Sequence, residues 1–309
     1  MNLNPLTQIN LFEHKEIFNK LSKLSKNDTL PNKILLSGEK GIGKATLAYH
    51  LINFVLSENE EYPYDYENNK INPDNKSYKL ILNKSNPNFF LIDVLEEKKN
   101  IDINQIRELI INLNKSSFNN KKRFVLIDNI ELLNLNSINA LLKILEEPNE
   151  NINFILINNN KRVLPTLKSR CLNFKVFLTK DQSIRIVNQL LNDDINTIIN
   201  NKLFDYYATP GKLFKLIKLS EEYDLDLAKF DLNTTLTTII KDKIYKKDKS
   251  ITEIIYSFIE LYFRNNISSE NISLLKSYHY FLKKINNTKI YNLDEETLFM
   301  EFEDKILNG

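Results

Sequence analysis

Gly38-Glu39-Lys40-Gly41-Ile42-Gly43-Lys44-Ala45-Thr46 carries three of the five glycines in a chain of 309 residues. The apolar run Ile34-Leu35-Leu36 lies just before it, and Leu47-Ala48-Tyr49-His50-Leu51 directly after. A strand, a glycine loop and a helix, in that order, form the context in which a loop can cradle phosphate. Glycines let backbone N–H groups turn inward with no Cβ in the way, and the helix N-terminus adds partial positive charge where phosphate oxygens would sit. Lys44 is placed to reach the terminal phosphates.

The pattern G-x-x-x-x-G-K-[ST] is met at Gly38, Gly43 and Lys44, but Ala45 stands where a hydroxyl would ligate magnesium. Thr46, one residue later, lies about 100° further round the helix and is no simple substitute. Gly38, Gly41, Gly43, Lys44 and Thr46 are the candidate binding residues of the loop. The fold of a phosphate loop follows from them; its chemistry stays open, against the alternative of a loop that only closes a strand onto a helix.

The length suggests two or three domains at roughly 100–200 residues each. The composition is globular, 42% hydrophobic and 27% charged, and a net charge of +2 does not indicate a surface that coats nucleic acid broadly. One Cys and three scattered His give neither a disulfide framework nor metal-ligand spacing. No apolar run approaches a membrane span, and Met1-Asn2-Leu3-Asn4-Pro5 has no basic region leading into an apolar core, so the expectation is a cytoplasmic protein with no membrane partner. Asn, Ile, Lys and Leu abound even in well-patterned segments, which reads as a general composition bias.

In chain order, Phe12, Ile17, Phe18, Leu21 and Leu24 predict a first helix ending near Lys26-Asn27-Asp28, and His14 reads as a surface or packing residue. Residues 57–88 are polar, weakly periodic and rich in Asn, Tyr and Glu, and read as a surface insertion. Phe89 to Val94 reads as a buried strand, and Asp102 with Gln105 as a capping box before the apolar face Ile103, Ile106, Ile110, Leu113. Phe124-Val125-Leu126-Ile127 is a central strand ending in Asp128, a carboxylate that a doubly wound parallel sheet brings near the phosphate loop. Where the next residue of a P-loop ATPase would orient water with a carboxylate, this chain has the neutral amide Asn129; Glu131 follows two residues on.

A helix over 136–147, closed by Pro148, a strand at Phe154-Ile155-Leu156-Ile157, and a last strand at 172–177 complete five strands alternating with helices. From Thr179, itself in a capping-box pattern with Gln182, the strand signals vanish. Ala208-Thr209-Pro210-Gly211-Lys212 reads as a break before a helix over 213–219, and residues 222–309 read as all-helical. The resulting organisation is a doubly wound α/β P-loop domain over 1–178, a small helical unit over 179–221 and an all-α domain over 222–309.

The segments Asn139-Ala140-Leu141-Leu142-Lys143-Ile144-Leu145-Glu146-Glu147-Pro148 and Leu164-Pro165-Thr166-Leu167-Lys168-Ser169-Arg170-Cys171 resemble the NALLKxLEEP and LPTxxSRC motifs of the clamp-loader branch of the AAA+ ATPases. The P-loop, Ile103 to Leu109 and Ile127-Asp128 share the resemblance, which covers roughly residues 5–220. It implies an AAA+ domain, a lid and a collar domain that assembles a hetero-oligomeric ring with ATPase and clamp-opening subunits. In that family the ring loads a sliding clamp onto primed DNA during replication as part of a DNA polymerase III holoenzyme, and the resemblance implies the same setting here. The resemblance further implies that Arg170 reaches in trans into a neighbour's ATP site, where a guanidinium stabilises charge on the transferred phosphoryl group.

Ala45 and Asn129 depart from the family's active pattern in metal binding and water activation, which suits a subunit without turnover; ATP binding itself stays open. Many relatives carry a four-cysteine zinc module after the first helix, and 57–88 has no Cys, so no zinc is expected. Lys212 resembles the basic residue that the lid of an active member points at its nucleotide. Intact Lys44 and Asp128 keep an alternative alive, an ATP-hydrolysing motor subunit of the same family. A P-loop protein unrelated to replication is disfavoured by the two motifs. For DNA, only Lys115, Lys121, Lys122 and Arg123 cluster near one edge of the α/β domain, and such charges also read as solvated.

Overall fold

β1 (Lys33–Ser37) feeds the glycine loop, and α2 (Lys44–Leu56) leaves it. In the computed structural model the described residues are 4–95, 98–115, 121–146, 151–161, 163–204, 208–267 and 272–308. The chain divides into two compact units, Met1–Leu178 and Thr179–Gly309.

In the first unit β2 (Phe89–Ile92), β3 (Arg123–Ile127), β4 (Ile152–Asn158) and β5 (Leu172–Lys175) join β1 in one parallel sheet of order β2-β3-β4-β1-β5. β3 and β4 are buried along their whole length, as apolar strands covered on both faces should be. β2 corrects the expectation of a buried strand. It is the sheet's edge, and Leu91 is exposed there.

Alternation along the strands separates two cores. Ile34, Leu36, Phe124, Leu126, Ile155 and Ile157 pack with α1 (Lys15–Lys26) and α2. Leu35, Val125, Ile127, Phe154 and Leu156 pack with α4 (Ile103–Leu113), α5 (Leu135–Glu146) and α6 (Pro165–Lys168). The Asp102–Gln105 capping box starts α4 as the sequence predicts. Glu147 and Pro148, expected to close α5, lie outside the described residues.

Residues 57–88 depart from the surface-insertion reading. They contain α3 (Lys76–Leu82), and Tyr64, Ile71, Tyr78 and Ile81 belong to the same core as α1 and α2. Asn75 holds the segment together: its Oδ1 caps Tyr78 N at 2.8 Å and accepts from Asn53 Nδ2 at 3.1 Å, while its Nδ2 donates to Tyr62 O at 2.9 Å. Periodicity fails as a signal here because polar side chains, buried Asn and Ser among them, do much of the structural bonding.

The second unit is helical: α7 (Lys180–Leu191), α8 (Pro210–Tyr223), α9 (Leu232–Lys241), α10 (Lys249–Asn266), α11 (Ile272–Tyr291) and α12 (Glu295–Phe302), with short 3-10 turns between. The Thr179–Gln182 capping box opens α7. Thr209-Pro210-Gly211 is not a break before α8 but its first turn: Thr209 is the N-cap and Pro210 stands at the start, where a missing N–H costs nothing. One apolar cluster runs from Val187 of α7 to Phe302 of α12.

Candidate functional site

Every strand of the sheet points its C-terminal end at the same edge, and the loop after β1 lies there. Gly41 (φ 85°) and Gly43 (φ 89°) occupy the left-handed region that favours glycine. Gly38 is required for a different reason: a Cβ there would fall 2.2 Å from the carbonyl oxygen of Val176. Gly43 is the N-cap of α2 and offers no capping side chain, so the helix N-terminus opens onto the loop.

Lys44 is buried, and its Nζ donates to the carbonyl oxygens of Gly38 at 2.9 Å and Glu39 at 2.5 Å. Burial pulls its pKa down to about 8, against the pull of the Asp128, Glu131 and Glu39 carboxylates. Asp128 is pushed up to about 6 by burial and by the neighbouring Asp93 carboxylate, opposed by the Asn129 N–H and by Lys44. Lys44 and Asp128 are therefore brought together as the sequence suggested. Ala45 packs its methyl against the core of α1 and α2, and Thr46 follows it on the first turn of α2.

Asn129 has φ 55° and closes a polar network. Its Nδ2 donates to Asp93 Oδ1 at 2.8 Å, and its Oδ1 accepts from Asn159 Nδ2 at 2.8 Å. Asn159 also donates to Glu131, from Nδ2 to Oε1 at 2.9 Å and from N to Oε2 at 3.3 Å. The amide needed where an ATPase holds a carboxylate is thus bonded at both ends, and Glu131, the other acid in the sequence segment, is taken up by Asn159.

Two residues of this site escaped the sequence reading, and a third, His14, reads there as a surface or packing residue without its contact to the loop. Asp93 had a signal, because Leu91-Ile92-Asp93 repeats Leu126-Ile127-Asp128 and the register Ile92↔Ile127 sets the two acids side by side. Asn159 sits within Asn158-Asn159-Asn160, where composition bias hides it. His14 has no local signal: it is buried, its Nε2 donates to Ile42 O at 2.5 Å, and it braces the loop from the start of α1.

Arg170 stands elsewhere. It lies in the turn between α6 and β5, at the N-terminal edge of the sheet, beside an open groove lined by Thr29 to Lys33 and Leu172. Its Nη1 donates to Thr166 O at 2.8 Å, and its Nη2 pairs with Glu146 Oε1. Burial pushes the neighbouring Cys171 thiol up to about 11, which disfavours the reactive thiolate at neutral pH.

The basic cluster offered for DNA is bonded within the chain: Lys115 to Asn112, Lys121 to Leu56 O, Lys122 to Asp28, and Arg123 to Lys115 O. Lys212 is exposed on the first turn of α8. Among the described residues no group of three or more His, Cys, Asp and Glu could hold a metal ion, and no helix is long and apolar enough to cross a membrane.

The phosphate end of a nucleotide fits the residues present: two left-handed glycines, an uncapped helix N-terminus and a lysine. The metal and water end does not, because Ala45 has no oxygen and Asn129 is occupied. A parallel sheet of this order, with a glycine loop after β1 and an acid after β3, defines a P-loop domain of the AAA+ kind. The chain belongs to the DNA polymerase III delta subunit family, whose model matches residues 13–179, more than half of its length.

A DNA polymerase III subunit delta' of Pseudomonas aeruginosa is 33% identical over 138 residues, 44% of this chain and 40% of that protein. A subunit delta' of Buchnera aphidicola subsp. Schizaphis graminum is 25% identical over 287 residues, 87% of this chain and 83% of that protein. A subunit gamma of Buchnera aphidicola subsp. Acyrthosiphon pisum is 26% identical over 284 residues, 86% and 74% of the two chains. The match with the Pseudomonas protein thus spans well under half of that relative.

Proposed function

We propose that this chain is a non-motor subunit of the delta-prime type in a DNA polymerase III clamp loader. It helps load the sliding clamp onto primed DNA and lends Arg170 to the ATP site of a neighbouring subunit in a hetero-oligomeric ring. The observation that carries this reading is the placement of Arg170 at the sheet edge opposite its own phosphate loop, beside an open groove. An arginine there cannot serve Lys44's pocket; it can serve one brought against it. Family membership and the delta-prime relatives support the setting.

On this reading residues 179–221 act as the lid and 222–309 as the collar, the two sharing one apolar core. Nucleotide, where it binds, rests its phosphates on Gly38, Gly41, Gly43, Lys44 and the first turn of α2 with Thr46. Bound ATP would supply charge that ties the loop to α2. The chain's own residues hold it without turning it over, because Asn129 neither accepts a proton from water nor is free to move off Asp93.

A second reading, a motor subunit, is favoured by one observation, the proximity of Lys44 and Asp128. Calorimetric titration of the purified chain with ATP and magnesium, with turnover assayed on the same sample, separates the two. Binding without turnover, or no binding, supports the non-motor subunit; turnover abolished by Lys44→Ala would establish the motor.

A further inference from the structure

Arg170 is held at two points before any partner arrives. The turn that carries it is fixed by Arg170 N to Leu167 O at 3.3 Å and Ser169 N to Pro165 O at 2.9 Å. Its Nη1 is fixed on Thr166 O, and its Nη2 on the carboxylate of Glu146 on α5. The Glu146 carboxylate therefore meets Arg170 across the gap between α5 and the turn that follows α6.

We propose that Glu146 is a positioning residue for Arg170, setting the plane of its guanidinium toward the neighbouring subunit's phosphates. This rests on the trans reading of Arg170 given above. A guanidinium has five N–H donors in a rigid fork. Among the described residues Thr166 O and Glu146 take one each, on different nitrogens, and the remaining three N–H donors are available for an incoming phosphoryl oxygen. The two fixed points define the plane and give up no donor that a phosphate needs. An unanchored arginine must instead be ordered when the subunits meet, and ordering a long side chain costs binding and rate.

The test is DNA-stimulated ATP turnover of the reconstituted clamp loader, with kcat and KM separated, for the native chain and for Glu146→Ala, Glu146→Gln, Arg170→Ala and the Glu146→Ala/Arg170→Ala pair. Glu146→Ala should lower kcat by about three- to tenfold, the scale of one newly mobile side chain, with KM unchanged. Glu146→Gln keeps an oxygen acceptor and should restore most of the rate. In the Arg170→Ala background Glu146→Ala should change nothing, because its effect passes through the arginine; a merely structural glutamate would lower both backgrounds alike. Thermal midpoints of the variants, measured alongside, confirm that each chain folds.

If Arg170→Ala lowers turnover while Glu146→Ala leaves it unchanged or raises it, the positioning role is overturned and the trans arginine stands. If Arg170→Ala itself leaves turnover unchanged, both fall together.

Discussion

Lys44 and Arg170 stand at opposite edges of the same sheet, one beyond the end of β1 and the other just before its neighbour β5. β1 and β5 are paired in parallel with Ile34 opposite Leu172, so the loop after β1 lies at one edge and the turn before β5 at the other. Strands of this length span about 16 Å at the usual rise of roughly 3.3 Å per residue. One chain therefore presents a phosphate loop on one side and an arginine on the other, the geometry a ring needs if each ATP site is built from two subunits.

Asn129→Asp tests whether the amide is structural. The substitution replaces a donor that sits 2.8 Å from Asp93 with a like charge. Stability should fall by about 1–3 kcal/mol at pH 7.5 in urea unfolding, and by less at pH 5, where one carboxylate of the cluster takes up a proton. No turnover should appear, since Ala45 still offers no oxygen to a cation.

Gly38→Ala should be the most damaging change in the loop. A Cβ would meet the Val176 carbonyl at 2.2 Å, a clash between two backbones that no side-chain rotation relieves. A loss of about 2–4 kcal/mol, read as a lowered urea midpoint, is expected from strain of this kind.

Asn75→Ala tests the place of residues 57–88. It removes the cap on Tyr78 N and the bonds to Asn53 and Tyr62, from a side chain that is fully buried. Unfolding free energy should fall by about 2–3 kcal/mol, whereas a dispensable surface insertion would tolerate the change within about 0.5 kcal/mol.

pH dependence has two opposed sources. His50 is buried between Gln8 O, to which its Nε2 donates at 3.1 Å, and the Tyr64 hydroxyl, which donates to its Nδ1 at 2.8 Å. Burial lowers its pKa from 6.5 to about 4, so as pH falls through that window the unfolded chain binds a proton that the folded chain refuses, and stability drops. Asp128, raised from 3.8 to about 6, acts the other way: the folded chain holds the extra proton, and stability is gained as pH falls through that range. Stability measured between pH 6.5 and 4 should lose some of its slope in His50→Gln and gain slope in Asp128→Asn.

The strands and capped helices were legible because each rests on local chemistry: the apolar runs at 34–36, 124–127 and 154–157, and the capping boxes at Asp102 and Thr179. Gly38, Gly43, Lys44 and Asp128 were legible for the same reason, a strand followed by a loop or an acid. What escaped depended on distant partners. The edge position of β2 follows from sheet order, which no local pattern encodes. His14 reaches Ile42 from 28 residues away, Asn129 is met by Asn159 30 residues later, and Arg170 by Glu146 24 residues earlier. The core formed by 57–88 rests on buried amides and tyrosines, which hydrophobic periodicity does not register.

The central claim is that this chain gives its arginine and does not spend its own phosphate loop. The direct measurement is DNA-stimulated ATP turnover of the reconstituted clamp loader carrying either Arg170→Ala or Lys44→Ala in this subunit. The account predicts a fall of about tenfold or more for Arg170→Ala and a change within about twofold for Lys44→Ala, since arginines acting in trans carry large rate factors. A collapse with Lys44→Ala and indifference to Arg170→Ala would contradict it, and would make this subunit the motor.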